Sequence, residues 1–86
     1  MIKIIKYLKD KVADLIRIIG VGFNELVFDF VIDGVTFNSI EWDPIEDRVL
    51  LHIFDEENEL DHHCDFEGID IDKQIKVYKV LSAFLN

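Results

Sequence analysis

The dipeptide Asp33-Gly34 constrains the fold of this chain more than any other local feature. It ends a predicted strand over residues 24–33, in which Leu, Phe and Ile alternate with acidic residues and valines, and a second alternating segment follows it. Asp-Gly in this setting is typical of a two-residue type I′ turn, because both central residues of that turn need positive φ. The sequence therefore predicts an antiparallel hairpin. Its register pairs Ile32 with Val35, Phe30 with Phe37 and Phe28 with Ser39.

The second strand changes the parity of its apolar residues, which fall on odd positions up to Phe37 and on even positions from Ile40. Successive strand residues point to opposite faces of a sheet, so the change has structural meaning. A β-bulge near Asn38-Ser39 would return Ile40 to the apolar face. Otherwise Ile40 and the residues after it lie on the opposite face, beside Val27. We favour the bulge.

Two further strands complete a predicted meander. Asp43-Pro44 ends the second strand and residues 43–47 form a loop, because proline cannot donate to a strand ladder. The third strand spans 48–54 and the fourth spans 59–66, with a turn at 55–58 between them. The predicted register of this hairpin pairs Ile53 with Leu60, Leu51 with His62 and Val49 with Cys64 on one face, and His52 with Asp61 and Arg48 with Asp65 on the other.

An amphipathic helix is predicted at each end of the chain. Residues 2–19 place apolar side chains at three- and four-residue steps. Gly20 is the predicted stop, because glycine adopts the left-handed C-terminal conformation without strain. The apolar positions of this helix are Ile5, Leu8, Val12, Leu15 and Ile19. Residues 71–85 form the second helix, after Asp70 as a favourable N-cap.

These elements predict one α+β domain over residues 1–86: an N-terminal helix, a four-stranded antiparallel β-meander and a C-terminal helix. Each helix has a broad apolar face, and the simplest way to bury both is to pack them on one face of the sheet. The opposite face would then keep four apolar residues among acidic ones: Val27, Val31, Leu50 and Phe54. If the chain forms a homodimer, we expect these four residues to be its contact.

Composition narrows the classes of function. Eighteen acidic and nine basic side chains give a formal net charge of −9, which argues against direct binding to nucleic acid or to an anionic membrane surface. A lone cysteine excludes an internal disulfide, and charged residues interrupt any stretch that could act as a signal peptide or membrane span. We therefore expect a cytoplasmic protein. The charge is segregated, since residues 21–72 carry sixteen acids and a single arginine while both ends are basic.

The histidines and the cysteine are the residues that could carry chemistry. Zinc binds imidazole and thiolate ligands, but strand alternation places the histidines and the cysteine on two different faces of the sheet. His62 and Cys64 fall on the apolar face, whereas His52 and His63 fall on the other, where with Asp61 they make three ligands at best. Acidic surroundings raise a thiol pKa and disfavour a Cys64 nucleophile. No phosphate loop or nucleophile motif is present, so we expect no enzyme, no metal and no cofactor.

The acidic residues of the two loops are the best candidates for a binding surface. Carboxylates on a rigid sheet can take the place of phosphates before a basic groove, and such contacts are steered by charge and weakened by salt. The predicted partner is therefore a basic protein that handles nucleic acid. The predicted contact residues are Trp42 as an apolar anchor and Asp43, Glu46, Asp47, Asp55, Glu56, Glu57 and Asp61. The alternative, that the acids only keep a hydrophobic domain soluble, stays open.

In general plan the chain resembles the small inhibitors encoded by phages and mobile elements, among them anti-CRISPR, anti-restriction and toxin-immunity proteins. The resemblance lies in its short, acidic, helix–sheet–helix layout and assigns no site residue. It implies a non-enzymatic inhibitor. The alternatives are a self-associating accessory subunit and a small metal-binding protein that uses His52, Asp61 and His63.

Overall fold

Two helices flank a four-stranded sheet. The computed structural model describes the backbone of residues 2–86 and the side chains of residues 7–86. The elements are α1 (Ile2–Ile19), β1 (Glu25–Ile32), β2 (Val35–Asp43), β3 (Arg48–Asp55), β4 (Leu60–Asp65) and α2 (Ile71–Ser82), with short 3-10 turns at Phe66–Gly68 and Ala83–Leu85. The sheet is an antiparallel meander in the order β1-β2-β3-β4, with β1 and β4 at its edges. This arrangement confirms the predicted α+β fold.

Both helices pack against the same face of the sheet. Val12 of α1 and Val77 of α2 are fully buried in one apolar cluster with Ile40 and Leu51 of the sheet. The predicted apolar position Ile5 lies outside the described side chains. Each such residue contributes roughly 1.5–3 kcal/mol when its side chain leaves water, so the covered face supplies most of the apolar stabilisation. Of the helices that the structure describes, neither has the length and apolar character needed to cross a membrane.

The β1–β2 hairpin matches the prediction at its turn and departs from it further along. Asp33 and Gly34 have φ of 51° and 83°, as a type I′ turn requires. The first two predicted pairs also form. The predicted pairing of Phe28 with Ser39 is wrong, because the register shifts by one residue and Ser39 lies opposite Val27.

The register shift is a β-bulge that sets Phe28 and Asp29 of β1 opposite Asn38 of β2, and it returns the second half of β2 to the core. Ile40 is fully buried, so it does not lie beside Val27 on the other face. The Asn38 side chain joins three strands at this point. Its Oδ1 accepts a hydrogen bond from the backbone N–H of Phe54 at 2.5 Å, and its Nδ2 donates to Asp29 Oδ1 at 3.3 Å. The Phe54 N–H therefore keeps an acceptor where the β2–β3 pairing ends.

The β3–β4 hairpin has the predicted faces and a different register. Leu51 lies opposite Cys64, a displacement of two residues that leaves every side chain on its predicted face. Five predicted pairs are therefore wrong: Ile53–Leu60, Leu51–His62, Val49–Cys64, His52–Asp61 and Arg48–Asp65. The cause is the turn, which occupies residues 56–59 instead of 55–58 and ends with Glu59 at a φ of 52°.

Helix α1 ends in a Schellman motif whose left-handed residue is Val21, not the predicted Gly20. Val21 has a φ of 52°, and the N–H of Gly22 donates to the carbonyl of Arg17 at 2.8 Å, as this motif requires. Gly20 is needed for a different reason, because a Cβ there would lie 2.8 Å from the carbonyl oxygen of Ile16.

Val21→Gly is expected to raise the free energy of unfolding by about 1 kcal/mol, because a β-branched residue is strained at positive φ. Val21 is 85% exposed, so the substitution removes little buried apolar surface. Urea denaturation followed by tryptophan fluorescence measures the change. The matched control is Val27→Gly, an exposed valine inside a strand, which should lower stability. A loss of stability in both variants would contradict strain at Val21.

Asn38→Ala is expected to lower the free energy of unfolding by roughly 1–2 kcal/mol, because the backbone N–H of Phe54 loses its acceptor. The same denaturation experiment measures the loss. Asn58→Ala is the matched control, since the Asn58 amide donates to Asp55 within an exposed turn at 2.8 Å and supports no strand N–H. Equal losses in the two variants would mean that Asn38 has no special role at the bulge.

Candidate functional site

The face of the sheet turned away from the helices, here called the open face, carries polar side chains in a regular grid. Cross-strand partners form one row of Glu25, Glu41, Leu50 and Asp65 and a second row of Val27, Ser39, His52 and His63. A shorter third row holds Phe54 and Asp61. Adjacent strands lie about 4.8 Å apart, so side chains of neighbouring rows can contact each other.

His52 is the centre of the polar contacts on the open face. Its Nε2 lies 2.6 Å from Glu41 Oε1, and its Nδ1 lies 3.3 Å from Asp61 Oδ1. The His52 side chain is only 13% exposed, so these carboxylates replace water around both ring nitrogens. One of the two carboxylates comes from β2 and the other from β4, which fixes the imidazole across three strands.

Glu25 completes a compact group with Glu41 and His52. Ligand atoms of these three side chains all lie within 4.8 Å of one another, the one such set of metal-ligating groups among the described residues. Of the sequence-predicted set of His52, Asp61 and His63, only His52 belongs to it. Asp61 contacts the other nitrogen of His52, and the His63 ring centroid lies 5.8 Å from that of His52.

A shallow groove of about 430 Å³ runs along the open face beside this group. Its apolar sides are Val27, which is 79% exposed, and Phe54, which is half exposed. Val31 is also exposed, whereas Leu50 is buried. Three of the four residues predicted for self-association are therefore available to a partner, and Leu50 is not.

Four predicted contact residues lie at the end of β2 and in the loop that leads to β3, and three of them are engaged within the chain. Asp43 accepts hydrogen bonds from two backbone N–H groups of the loop. The half-buried Trp42 donates through Nε1 to Asp47 Oδ1 at 3.0 Å, and the guanidinium of Arg17 lies 5.1 Å from its ring centroid. Glu46 is exposed. These contacts give Trp42, Asp43 and Asp47 structural roles in the fold.

Asp47 also binds a lysine of α1 that the sequence analysis missed. The Lys9 side chain is 2% exposed, and its Nζ lies 2.8 Å from Asp47 Oδ2 and 2.7 Å from Asp10 Oδ1. Burial alone would lower the pKa of Lys9, but the hydrogen bonds to Asp10 and Asp47 outweigh it and hold the pKa above its usual value. The spacing in the sequence could have indicated this burial. Lys9 precedes the buried Val12 and Ile16 by three and seven residues, which places it on the same face of α1.

The turn between β3 and β4 lies at the opposite end of β3, about 23 Å from the other loop at 3.3 Å per residue. Asp55 accepts hydrogen bonds from the side chain of Asn58 and from two backbone N–H groups of the turn. The side-chain bond to Asn58 is the main reason that the pKa of Asp55 lies below its usual value. Glu56 and Glu57 are exposed and form no ion pair with the described side chains. The predicted contact residues therefore do not form one continuous patch.

Cys64 lies on the helix-covered side of β4, away from His52 and His63. It is a free, half-buried thiol. Burial is the larger cause of the raised pKa of the Cys64 thiol, and the nearby Asp65 carboxylate is the smaller one. The direction is the expected one, but the acidic surroundings named in the prediction are not its main cause. A thiol that stays protonated at neutral pH is a weak nucleophile.

Comparison with protein families, curated proteins and solved structures finds no match to this chain. Its function has to be inferred from the open face and the loops that adjoin it.

Asp47→Asn is expected to lower the free energy of unfolding by about 1–2 kcal/mol, because the buried Lys9 ammonium loses an anionic partner. Asparagine keeps an oxygen for Trp42 and tolerates the φ of 52° at this position. The matched control is Glu46→Gln, which removes a neighbouring exposed charge and should change stability little. Chemical denaturation of both variants across a pH series measures the effect.

The pH series gives the same variant a second readout. The folded-state pKa of Lys9 is raised above its usual 10.5, so its contribution is complete below that value and is lost as the pH rises through the folded pKa. The stability difference between wild type and D47N should shrink as the pH rises through that folded pKa. Equal behaviour of D47N and E46Q, or a difference that grows as the pH rises above 10.5, would contradict the Lys9–Asp47 ion pair.

Proposed function

We propose that the protein is a non-enzymatic binding module that holds a basic segment of a partner protein on its open face. The observation that carries the proposal is the position of the acids. Glu25, Glu41 and Asp61 share the open face, and Glu56 and Glu57 extend it at the adjoining turn. A surface lined by one sign of charge attracts and steers a partner of the opposite sign.

The basic side chains of the helices do not cancel this charge. The lysine ion pairs among the described side chains are Lys9 with Asp10 and Asp47, and Lys76 with Asp33. All of them involve a helix. The cation that strand alternation places on the open face is Arg48, at the end of β3, where its Nε lies 3.6 Å from Asp43 Oδ2. Among the described side chains, no lysine or arginine forms an ion pair with Glu25, Glu41 or Asp61, and the latter two contact His52.

The groove on the open face also offers apolar contact. Val27 and Phe54 flank it, and the aliphatic stem of a lysine or arginine can cover such residues while its charged head meets a carboxylate. Arginine suits this surface better than lysine, because its guanidinium pairs with carboxylates in a bidentate manner and stacks on aromatic rings. We therefore expect the bound segment to contain arginine.

A protein that handles nucleic acid is the partner class that we favour. Such proteins carry grooves of lysine and arginine that neutralise phosphates, and carboxylates at strand spacing present negative charge to the same groups. The layout that the chain shares with inhibitors from phages and mobile elements supports the same hypothesis. In this proposal the chain inhibits its partner by occupying the groove that would otherwise bind nucleic acid.

Charge reversal at the β3–β4 turn tests the proposal. Glu56→Lys/Glu57→Lys is expected to weaken binding of a short arginine-rich peptide about tenfold at low salt, because two exposed ion pairs of up to about 1 kcal/mol each are lost. Isothermal titration calorimetry measures the affinity, and NMR chemical-shift changes should map the wild-type contact to the open face. Added salt should weaken wild-type binding and affect the variant less.

The matched control is Asp14→Lys/Asp72→Lys, which changes the net charge equally at exposed positions of the two helices, away from the open face. Equal weakening in the two double variants would show that net charge alone governs binding. Unchanged affinity in E56K/E57K, or chemical-shift changes confined to the helices, would contradict the proposed surface.

A further inference from the structure

The group of Glu25, Glu41 and His52 has the composition of a metal site, and we propose that it binds a zinc ion. Two carboxylate oxygens and one imidazole nitrogen are ligands that zinc accepts, and three protein ligands leave a fourth position for water. The imidazole distinguishes the group from a calcium or magnesium site, which uses oxygen ligands. This inference goes beyond the proposed function and does not depend on it.

The backbone already places the three ligands close to the separation that zinc requires. Their ligand atoms lie within 4.8 Å of one another, whereas ligands about 2.1 Å from a tetrahedral zinc are roughly 3.5 Å apart. Glu25 and Glu41 are directly paired positions of β1 and β2, and His52 is on β3. The sheet therefore fixes all three Cα atoms, and rotation of the two glutamate side chains closes the remaining distance.

Asp61 holds the imidazole of His52 in the orientation that a metal requires. Its Oδ1 lies 3.3 Å from Nδ1, while Nε2 faces Glu41. At 2.6 Å the Nε2–H group of His52 donates to Glu41 Oε1, so zinc binding displaces this proton to solvent, and the proton on Nδ1 then donates to Asp61. Metal-bound histidines almost always have such a partner on the second nitrogen. Asp61 lies outside the group of three and supplies this partner on Nδ1.

A bound divalent cation would also offset the repulsion between neighbouring carboxylates of the sheet. Glu25 and Glu41 are directly opposite each other, where like charges destabilise a strand pair, and Asp61 adds a third carboxylate around His52. The groove gives a hydrated ion access from solvent. The alternative to zinc is a second proton on His52, which would let both ring nitrogens donate to carboxylates. The experiment has to distinguish the zinc-bound ring from the doubly protonated ring.

Titration of the full chain with zinc chloride, after removal of metal by a chelator, tests the site. Wild type is expected to bind one zinc ion per chain. His52→Ala, Glu41→Gln and Glu25→Gln should each weaken binding at least tenfold, and Asp61→Asn should weaken it about 10–100-fold through loss of ring orientation. Glu25 is exposed, so its variant tests the site without risk to the fold. Magnesium chloride should bind far more weakly than zinc.

His62→Ala and Cys64→Ser are the matched controls, because both residues lie on the opposite face of β4 and should leave zinc binding unchanged. Nitrogen-15 NMR of the His52 ring gives a second readout. Zinc should shift Nε2 and leave the proton on Nδ1. Absence of one-to-one binding, unchanged affinity in H52A, loss of binding in H62A or C64S, or protons retained on both nitrogens would each overturn the proposal. Peptide binding measured without zinc tests the proposed function separately.

Discussion

The β-bulge in β1 opposite Asn38 is the constraint on which both faces of the sheet depend. Without it, strand alternation would keep Glu41 on the same face as Phe37, against the helices, and would turn Ile40 toward solvent. The bulge exchanges these positions. Ile40 is fully buried in the core, and Glu41 reaches His52 on the open face at 2.6 Å. One irregularity in the pairing of two strands therefore completes the hydrophobic core and creates the polar group opposite it.

The parts of the fold with strong local signals could be predicted from the sequence. Apolar periodicity indicated both helices, and Asp33-Gly34 indicated the first hairpin, because two residues must adopt positive φ there. The register of the second hairpin could not be predicted, since a four-residue turn that places Glu59 at positive φ has no residue signature. The left-handed conformation of Val21 could not be predicted either, because sequence rules assign such a position to glycine.

The candidate site could be predicted only in part. Strand alternation correctly placed His52 on the face away from the helices, and the acid-rich middle of the chain was evident. The meeting of Glu25 and Glu41 with His52 depends on the bulge and on the β2–β3 register together, so it emerges only when three strands are aligned. Loop acids that look alike in the sequence also have different roles. Asp47 is paired with Lys9, more than thirty residues away in the chain, and such a contact has no local signal.

The two outer strands of the sheet have a consequence for how the molecule behaves among its own copies. An unpaired strand edge is a template for addition of further strands unless it is short, charged or irregular. The bulge interrupts β1, and β4 is a six-residue strand with four titratable side chains besides its cysteine: Asp61, His62, His63 and Asp65. Neither edge offers the long, flat, uncharged segment from which fibrils grow. A chain that is 50% hydrophobic is thus protected against aggregation by the shape and chemistry of its sheet edges as well as by its net charge.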